Sequence, residues 1–296
     1  MSPSALDPSI VRLIEDLWSE NRIKVWSMVI TIFGDCIVPR GGRVTLSSIQ
    51  LITDKLGIEA NALRTALSRL NRDGWLDRQR HGRQTSYALA GEGKVQFSLA
   101  TKRIYAVGPL DWNGEFQIII DRSENAQARK KARQNLLNDG FGSLAHGVFI
   151  RPYHSVESQG SFASFPGFTG QLMSHVNARE VTALAWPTLE LQKSYEQLIR
   201  RFEPFLTKSA TEPFGPLNAI VLRVLLIHEW RKIILKDVDL PAEFRPENWN
   251  GEVARKMTSV LYLDLIPESE TFLDALEARP EVGLTAPVAE FAQRFT

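Results

Sequence analysis

The stretch 47–89, SSIQLITDKLGIEANALRTALSRLNRDGWLDRQRHGRQTSYAL, constrains the fold more than any other part of the chain. Ser47 is placed to cap a short helix through Ile52, because its hydroxyl accepts one of the free N–H groups of a first turn. Asp54-Lys55-Leu56-Gly57 reads as a tight turn, with Gly57 free to take positive φ. A second helix is expected from about Glu59 to Asp73, with Ala62, Leu63, Ala66, Leu67 and Leu70 recurring at helical spacing. Its other face carries Asn61, Arg64, Thr65, Ser68, Arg69 and Arg72, and Gly74 stops it. Trp75–Arg80 and Gln84–Leu89 alternate like two strands joined at His81-Gly82-Arg83, and Val44-Thr45-Leu46 supplies a short strand to complete their sheet.

Helix, turn, helix, hairpin is the order of a winged helix-turn-helix. The polar face of the second helix offers guanidinium, amide and hydroxyl groups. Arg bonds two acceptors on guanine, Asn pairs with adenine, and Ser and Thr suit either a base edge or a phosphate. Arg78, Arg80 and Arg83, on or beside the hairpin, are in reach of backbone phosphate or a minor groove, and Arg40 and Arg43 of the preceding loop join the set. The blander reading is a small α+β module whose charged face meets only water, or one that binds protein.

Charge distribution favours nucleic acid. The whole chain of 296 residues carries a net charge of only +1, but residues 22–103 hold 14 Lys/Arg against 6 Asp/Glu, a local +8 set against −7 elsewhere. A basic N-terminal third on a mildly acidic body fits one DNA-contacting module attached to something else. Cys36 is the single cysteine, so no disulfide forms within the chain and a reducing cytoplasm suits it; we read it as a small buried hydrophobe. The N-terminus MSPSALDPSI lacks a basic region followed by an apolar run, so no secretory signal is expected, and no stretch reaches the length of a membrane-spanning helix.

Elsewhere, Ser9–Trp18 is helical by periodicity, and Ile23–Phe33 is a nearly all-apolar helix ended by Gly34-Asp35. Ala90–Tyr105 reads as a linker helix. Phe116–Asp121 is a buried strand, and Ser123 caps a helix over Glu124–Asn138, whose Arg129, Lys130, Lys131 and Arg133 we read as a solvated face in preference to phosphate contacts. Val148–Ile150 and Glu180–Ala185 read as strands, with a short helix near Gly170–His175, giving a strand–helix–strand–helix–strand sandwich. Helices are then expected at Leu189–Leu206, bent or ended by Pro204, at Leu217–Lys236, at Trp249–Leu265 and at Ser269–Arg279. The last residues, with Phe291 and Phe295, dock as a short helix.

The runs FGDCIVPRGGRVTL and ALRTALSRLNRDGWLDRQRHGRQTSYAL strongly resemble the PaaX family of bacterial transcriptional repressors. So do Pro109–Gly114, Gly140-Phe141-Gly142, His146–Pro152 and Leu226–Lys232, in the same order, from about Arg22 to Leu263. Phe116 stands where family members usually carry a second Trp. The resemblance implies an α+β multidomain chain: a winged helix-turn-helix at 1–90, a linker helix at 91–105, a dimerising Cas2-like ferredoxin fold at 106–188, and a helical regulatory domain at 189–296. It implies a homodimeric repressor of aromatic-catabolism genes, bound to double-stranded operator DNA and released by an aryl-CoA thioester, typically phenylacetyl-CoA, or by a free aromatic acid. An effector with an aromatic tail and phosphates needs an aromatic wall with cations nearby, which makes His228, Trp230, Arg231 and Lys232 candidates; the competing reading is that Trp230 is core and its charged neighbours are ordinary pairs.

No enzyme signature emerges. Neither GxSxG nor HExxH occurs, and no cofactor or metal is expected. A Cas2-like domain raises the alternative of a metal-dependent nuclease, for which Asp121 alone is thin support; we read Asp121 as a strand-end cap.

Overall fold

A computed structural model describes residues 5–82, 84–108, 112–153, 161–173, 176–277 and 284–296. The described residues form two compact units, one drawn from the ranges 1–107, 198–232 and 255–296 and the other from 108–197 and 233–254. Both helix and antiparallel sheet are present, as an α+β fold requires.

The first unit begins with α1 (Pro8–Ser19) and α2 (Val25–Ile32). Gly34-Asp35 does not end α2. The helix widens into a π turn over Phe33–Ile37, then tightens into a 3-10 turn over Val38–Arg40 that stops at Gly41, φ 85°. A π turn frees carbonyl oxygens from the i−4 ladder. Here guanidinium groups take them: Arg294 donates to Gly34 O at 2.9 Å, and Arg223 donates to Asp35 O at 3.0 Å. Tertiary bonds have therefore overridden a local stop signal.

β1 (Arg43–Thr45) leads into α3 (Leu46–Thr53). Its cap is Thr45, not Ser47: Thr45 Oγ1 accepts from Ser48 N at 3.3 Å. Gly57 takes φ 72° in the turn, and α4 (Ala60–Arg72) follows. Leu63, Ala66, Leu67 and Leu70 are buried, whereas Ala62 is exposed and does not belong to the apolar stripe. Gly74 takes φ 76° beyond the helix end. β2 (Leu76–His81) and β3 (Gln84–Leu89) form a hairpin, and β1 adds to β3, giving the order β1-β3-β2. α5 (Gly91–Ile104) starts against the hairpin base, where a Cβ on Gly93 would stand 2.6 Å from Trp75 O.

The second unit carries β4 (Phe116–Ile120), α6 (Ala126–Asn138), β5 (Gly142–Ala145), β6 (Val148–Pro152) and β7 (Gly167–Gly170). All pairings are antiparallel, in the order β5-β6-β4-β7. Strand alternation sends Phe116 to one face, with Ile150, Trp186, Leu240 and Phe244, and Ile119 to the other, with Leu136, Phe141 and Phe149. Asn125, rather than Ser123, caps α6 through Ala128 N at 2.8 Å.

The expected strand at Glu180–Ala185 is instead α7 (Ala178–Ala185), so the strand–helix–strand–helix–strand order does not hold. Asn177 caps α7, and its buried residues Val181, Thr182 and Ala185 follow helical spacing rather than alternation. Gly170 ends a strand instead of starting a helix; residues 174 and 175 lie outside the described set.

Three long helices complete the chain: α8 (Thr188–Ser209), α9 (Pro216–Ile234) and α10 (Gly251–Glu277). Pro204 sits inside α8, which continues past it to Ser209, and α10 runs unbroken through Pro267 where two helices were expected. On either side of Pro267, Leu265, Ser269 and Leu273 are fully buried, so packing holds the helix across the missing N–H donor. No described helix is long and apolar enough to cross a membrane.

Candidate nucleic-acid interface

The apolar stripe of α4 fixes which way its polar face turns. With Leu63 and Leu67 completely buried, Asn61, Arg64, Thr65, Ser68, Arg69 and Arg72 are all exposed. Their bonds are local. Arg64 donates to Asn61 Oδ1 at 3.0 Å, and Thr65 Oγ1 donates back to Asn61 O at 2.9 Å. Arg69 and Arg72 lie 3.4 Å and 3.5 Å from the Asp73 carboxylate. Exposed pairs of this kind contribute about 0–1 kcal/mol, so a competing phosphate or base edge displaces them readily.

Sequence reasoning missed one neighbour of this face. Trp26, within the apolar run of α2, is 44% exposed, and the Arg69 guanidinium lies 5.9 Å from its ring centre. The apolar run disguised it, because an all-apolar helix reads as buried on every side.

On the hairpin, register pairs Leu76 with Leu89, Arg78 with Tyr87 and Arg80 with Thr85. Arg78 and Arg80 therefore share the sheet face of Leu76, and both are exposed, Arg78 directly opposite the buried Tyr87. Arg80 Nε donates to Gly82 O at 3.2 Å. Arg43 is half-buried and donates to Ser86 Oγ at 3.2 Å, while Arg83 lies outside the described residues.

Arg40 does not belong to this surface. It is 1% exposed and donates to Glu270 at 2.5 Å and to Asp274 at 2.6 Å. It forms the outer end of a buried network centred on Asp35. Arg223 donates to Asp35 Oδ2 at 2.7 Å, and Arg294, Tyr105 and Tyr262 all donate to Oδ1 within 2.9 Å. Burial works against the Asp35 charge, but the two guanidinium groups and the Tyr105 hydroxyl outweigh it, and the carboxyl lies below its ordinary range.

The expected effector residues lie on α9, buried or half-buried. His228 is fully buried, with Nδ1 3.0 Å from Thr31 Oγ1. Burial, reinforced by Arg231 and Lys232, holds its imidazole well below the usual histidine range. Trp230 is core and donates to Ile104 O at 2.8 Å. Arg231 donates to Thr31 Oγ1 at 2.7 Å and to Ser27 O at 2.8 Å; burial lowers its guanidinium to about 10. Lys232 bonds Arg22 O and Glu229, each at 2.9 Å. His228 and Arg231 tie α9 to α2, Trp230 ties it to α5, and Lys232 ties it to Arg22.

Asp121 Oδ1 accepts from Ser123 N at 2.9 Å, the strand-end cap expected of it. Among the described residues no three His, Cys, Asp or Glu side chains come together as a metal site.

Residues 24–93 match the family model described as PaaX-like protein, and residues 186–275 match that of the PaaX-like protein C-terminal domain. The transcriptional repressor PaaX of Escherichia coli (strain K12) is 29% identical over 282 residues, 91% of this chain and 89% of that one. A solved structure, uncharacterized protein Rv0674 from Mycobacterium tuberculosis, aligns at 20% identity with a TM-score of 0.49, covering 77% of this chain and 90% of its own. With both family models matched in order and a relative aligned along nearly the whole length, this chain belongs to the PaaX-like protein family.

Proposed function

We propose that the protein is a transcriptional repressor of an aromatic-compound catabolic gene cluster, holding a duplex operator until an aromatic effector releases it. The observation that carries this reading is the exposed face of α4, where Asn61, Arg64, Thr65, Ser68 and Arg69 stand opposite a fully buried stripe. In this reading the N-terminal module is a winged helix-turn-helix: α4 enters the major groove, and Arg78 and Arg80 hold backbone phosphate. The repressor relative and the basic N-terminal third support it.

The protein acts as a homodimer on a palindromic site, because two copies about a two-fold axis read two equal half-sites. The second unit is read as ferredoxin-like, a reading supported by its strand order, although its second crossover holds only a 3-10 turn, Ser161–Ser164, among the described residues. The effector is an aryl-CoA thioester such as phenylacetyl-CoA. It acts only through its differential affinity for the DNA-competent and released conformers.

The test is a mobility shift on a duplex enriched from random sequence by the wild-type protein. Arg64→Ala and Arg69→Ala each weaken binding by at least about tenfold, the loss expected for one base-directed contact, with the oligomeric state unchanged. Unchanged affinity in both variants rejects the α4 assignment. Adding phenylacetyl-CoA, or free phenylacetate in a parallel arm, to the wild-type complex identifies which chemical form releases it.

A further inference from the structure

The second unit is acidic as a whole, yet half of its cations crowd into one short stretch. Residues 108–197 and 233–254 contain 10 Lys/Arg and 14 Asp/Glu. Five of those ten cations, Arg122, Arg129, Lys130, Lys131 and Arg133, fall within residues 122–133, which hold a single acid, Glu124. The stretch is thus +4 on a unit that is −8 elsewhere.

α6 displays this charge. Ala132 and Leu136 bury the helix against the sheet, and all five cations are exposed. None forms an ion pair with a carboxylate among the described residues, although the unit has acids to spare. Arg129 and Arg133 are one turn apart, a spacing at which like charges destabilise a helix. At a rise of about 1.5 Å per residue, the four cations of α6 itself occupy roughly 6 Å of axis. A merely solvated helix gains from interspersed acids; this one excludes them. The chemistry that answers such a row is a regular polyanion, and duplex DNA presents one phosphate charge per about 1.7 Å of axis.

We infer that the outer face of α6 is a second DNA-contacting surface, gripping duplex phosphate without reading sequence. This inference rests on the repressor reading above and extends it from the first unit to the second. Contacts made only to phosphate add affinity and salt dependence, and leave base preference to α4.

The test compares full-length wild type with Arg129→Gln/Lys130→Gln/Lys131→Gln/Arg133→Gln and with the charge-reversed Arg129→Glu/Arg133→Glu. The side chains are exposed, and thermal melting verifies that each variant folds. Affinity is measured from 50 to 300 mM salt on two probes: the enriched duplex and a random-sequence duplex of equal length. Each lost phosphate contact lowers the slope of log affinity against log salt by about 0.9. The quadruple variant therefore loses about two to four units of slope and at least about tenfold in affinity near 150 mM salt, equally on both probes. Charge reversal of two positions lowers affinity on both probes as well. An unchanged slope in both variants while wild type binds DNA overturns the inference and leaves the α4 reading standing. Wild type that binds neither probe at any salt overturns both. Loss of binding to anionic phosphatidylglycerol vesicles, with DNA affinity intact, overturns the inference in favour of a membrane surface.

Discussion

Asp35 is the hub of a buried charge network. Its carboxylate is fully buried and receives Arg223, Arg294, Tyr105 and Tyr262. Removing one member of a buried charge network costs about 3–5 kcal/mol, because its partners stay buried and uncompensated. Asp35→Asn is therefore expected to lower the urea midpoint sharply. Since the folded carboxyl titrates below its ordinary range, the stability it supplies is complete above about pH 4 and fades as acid protonates it. The Asn variant should show a shallower loss below pH 4 than wild type. His228 acts on a different window. Its imidazole stays neutral in the fold, so the unfolded chain binds protons more tightly and stability falls as pH drops through the ordinary histidine value of 6.5. The decline is at most about 1.4 kcal/mol per pH unit. Urea titrations from pH 7.5 to 5.5 should show it in wild type and a flatter profile in His228→Gln.

At the scale of elements, what could be read depended on where the deciding interaction lay. α4 was legible because its periodic leucines and the Gly74 that follows them lie within one short stretch of sequence. The β2–β3 hairpin was legible because alternation and a Gly turn suffice for it. The π turn after α2 was not, since the groups that hold it, Arg223 and Arg294, are about 190 and 260 positions away. α7 was misread because Glu180–Ala185 is too short for alternation to be told from helical spacing. The same division explains the candidate site: an exposed helix face announces its chemistry, whereas Arg40 looked free only because Glu270 and Asp274 are remote in sequence. The α4 stripe also makes a prediction of its own. Leu67→Ala should cost about 2–5 kcal/mol in a chemical melt, and operator affinity should fall only in proportion to the unfolded fraction.

For the whole molecule, the account rests on one claim: the exposed face of α4 is the surface that meets a duplex. The chain offers a direct way to test it. Cys36 is the single cysteine, buried, with its thiol pushed up by burial, so it is inert toward alkylating reagents. Ser68→Cys then places the sole reactive thiol at the centre of the α4 face. The decisive measurement is the rate of maleimide labelling of this variant with and without saturating enriched duplex. The account predicts labelling at least about tenfold slower when the duplex is bound, and no slowing by a single-stranded control. Labelling at the same rate in bound and free protein would place the DNA elsewhere and contradict the claim.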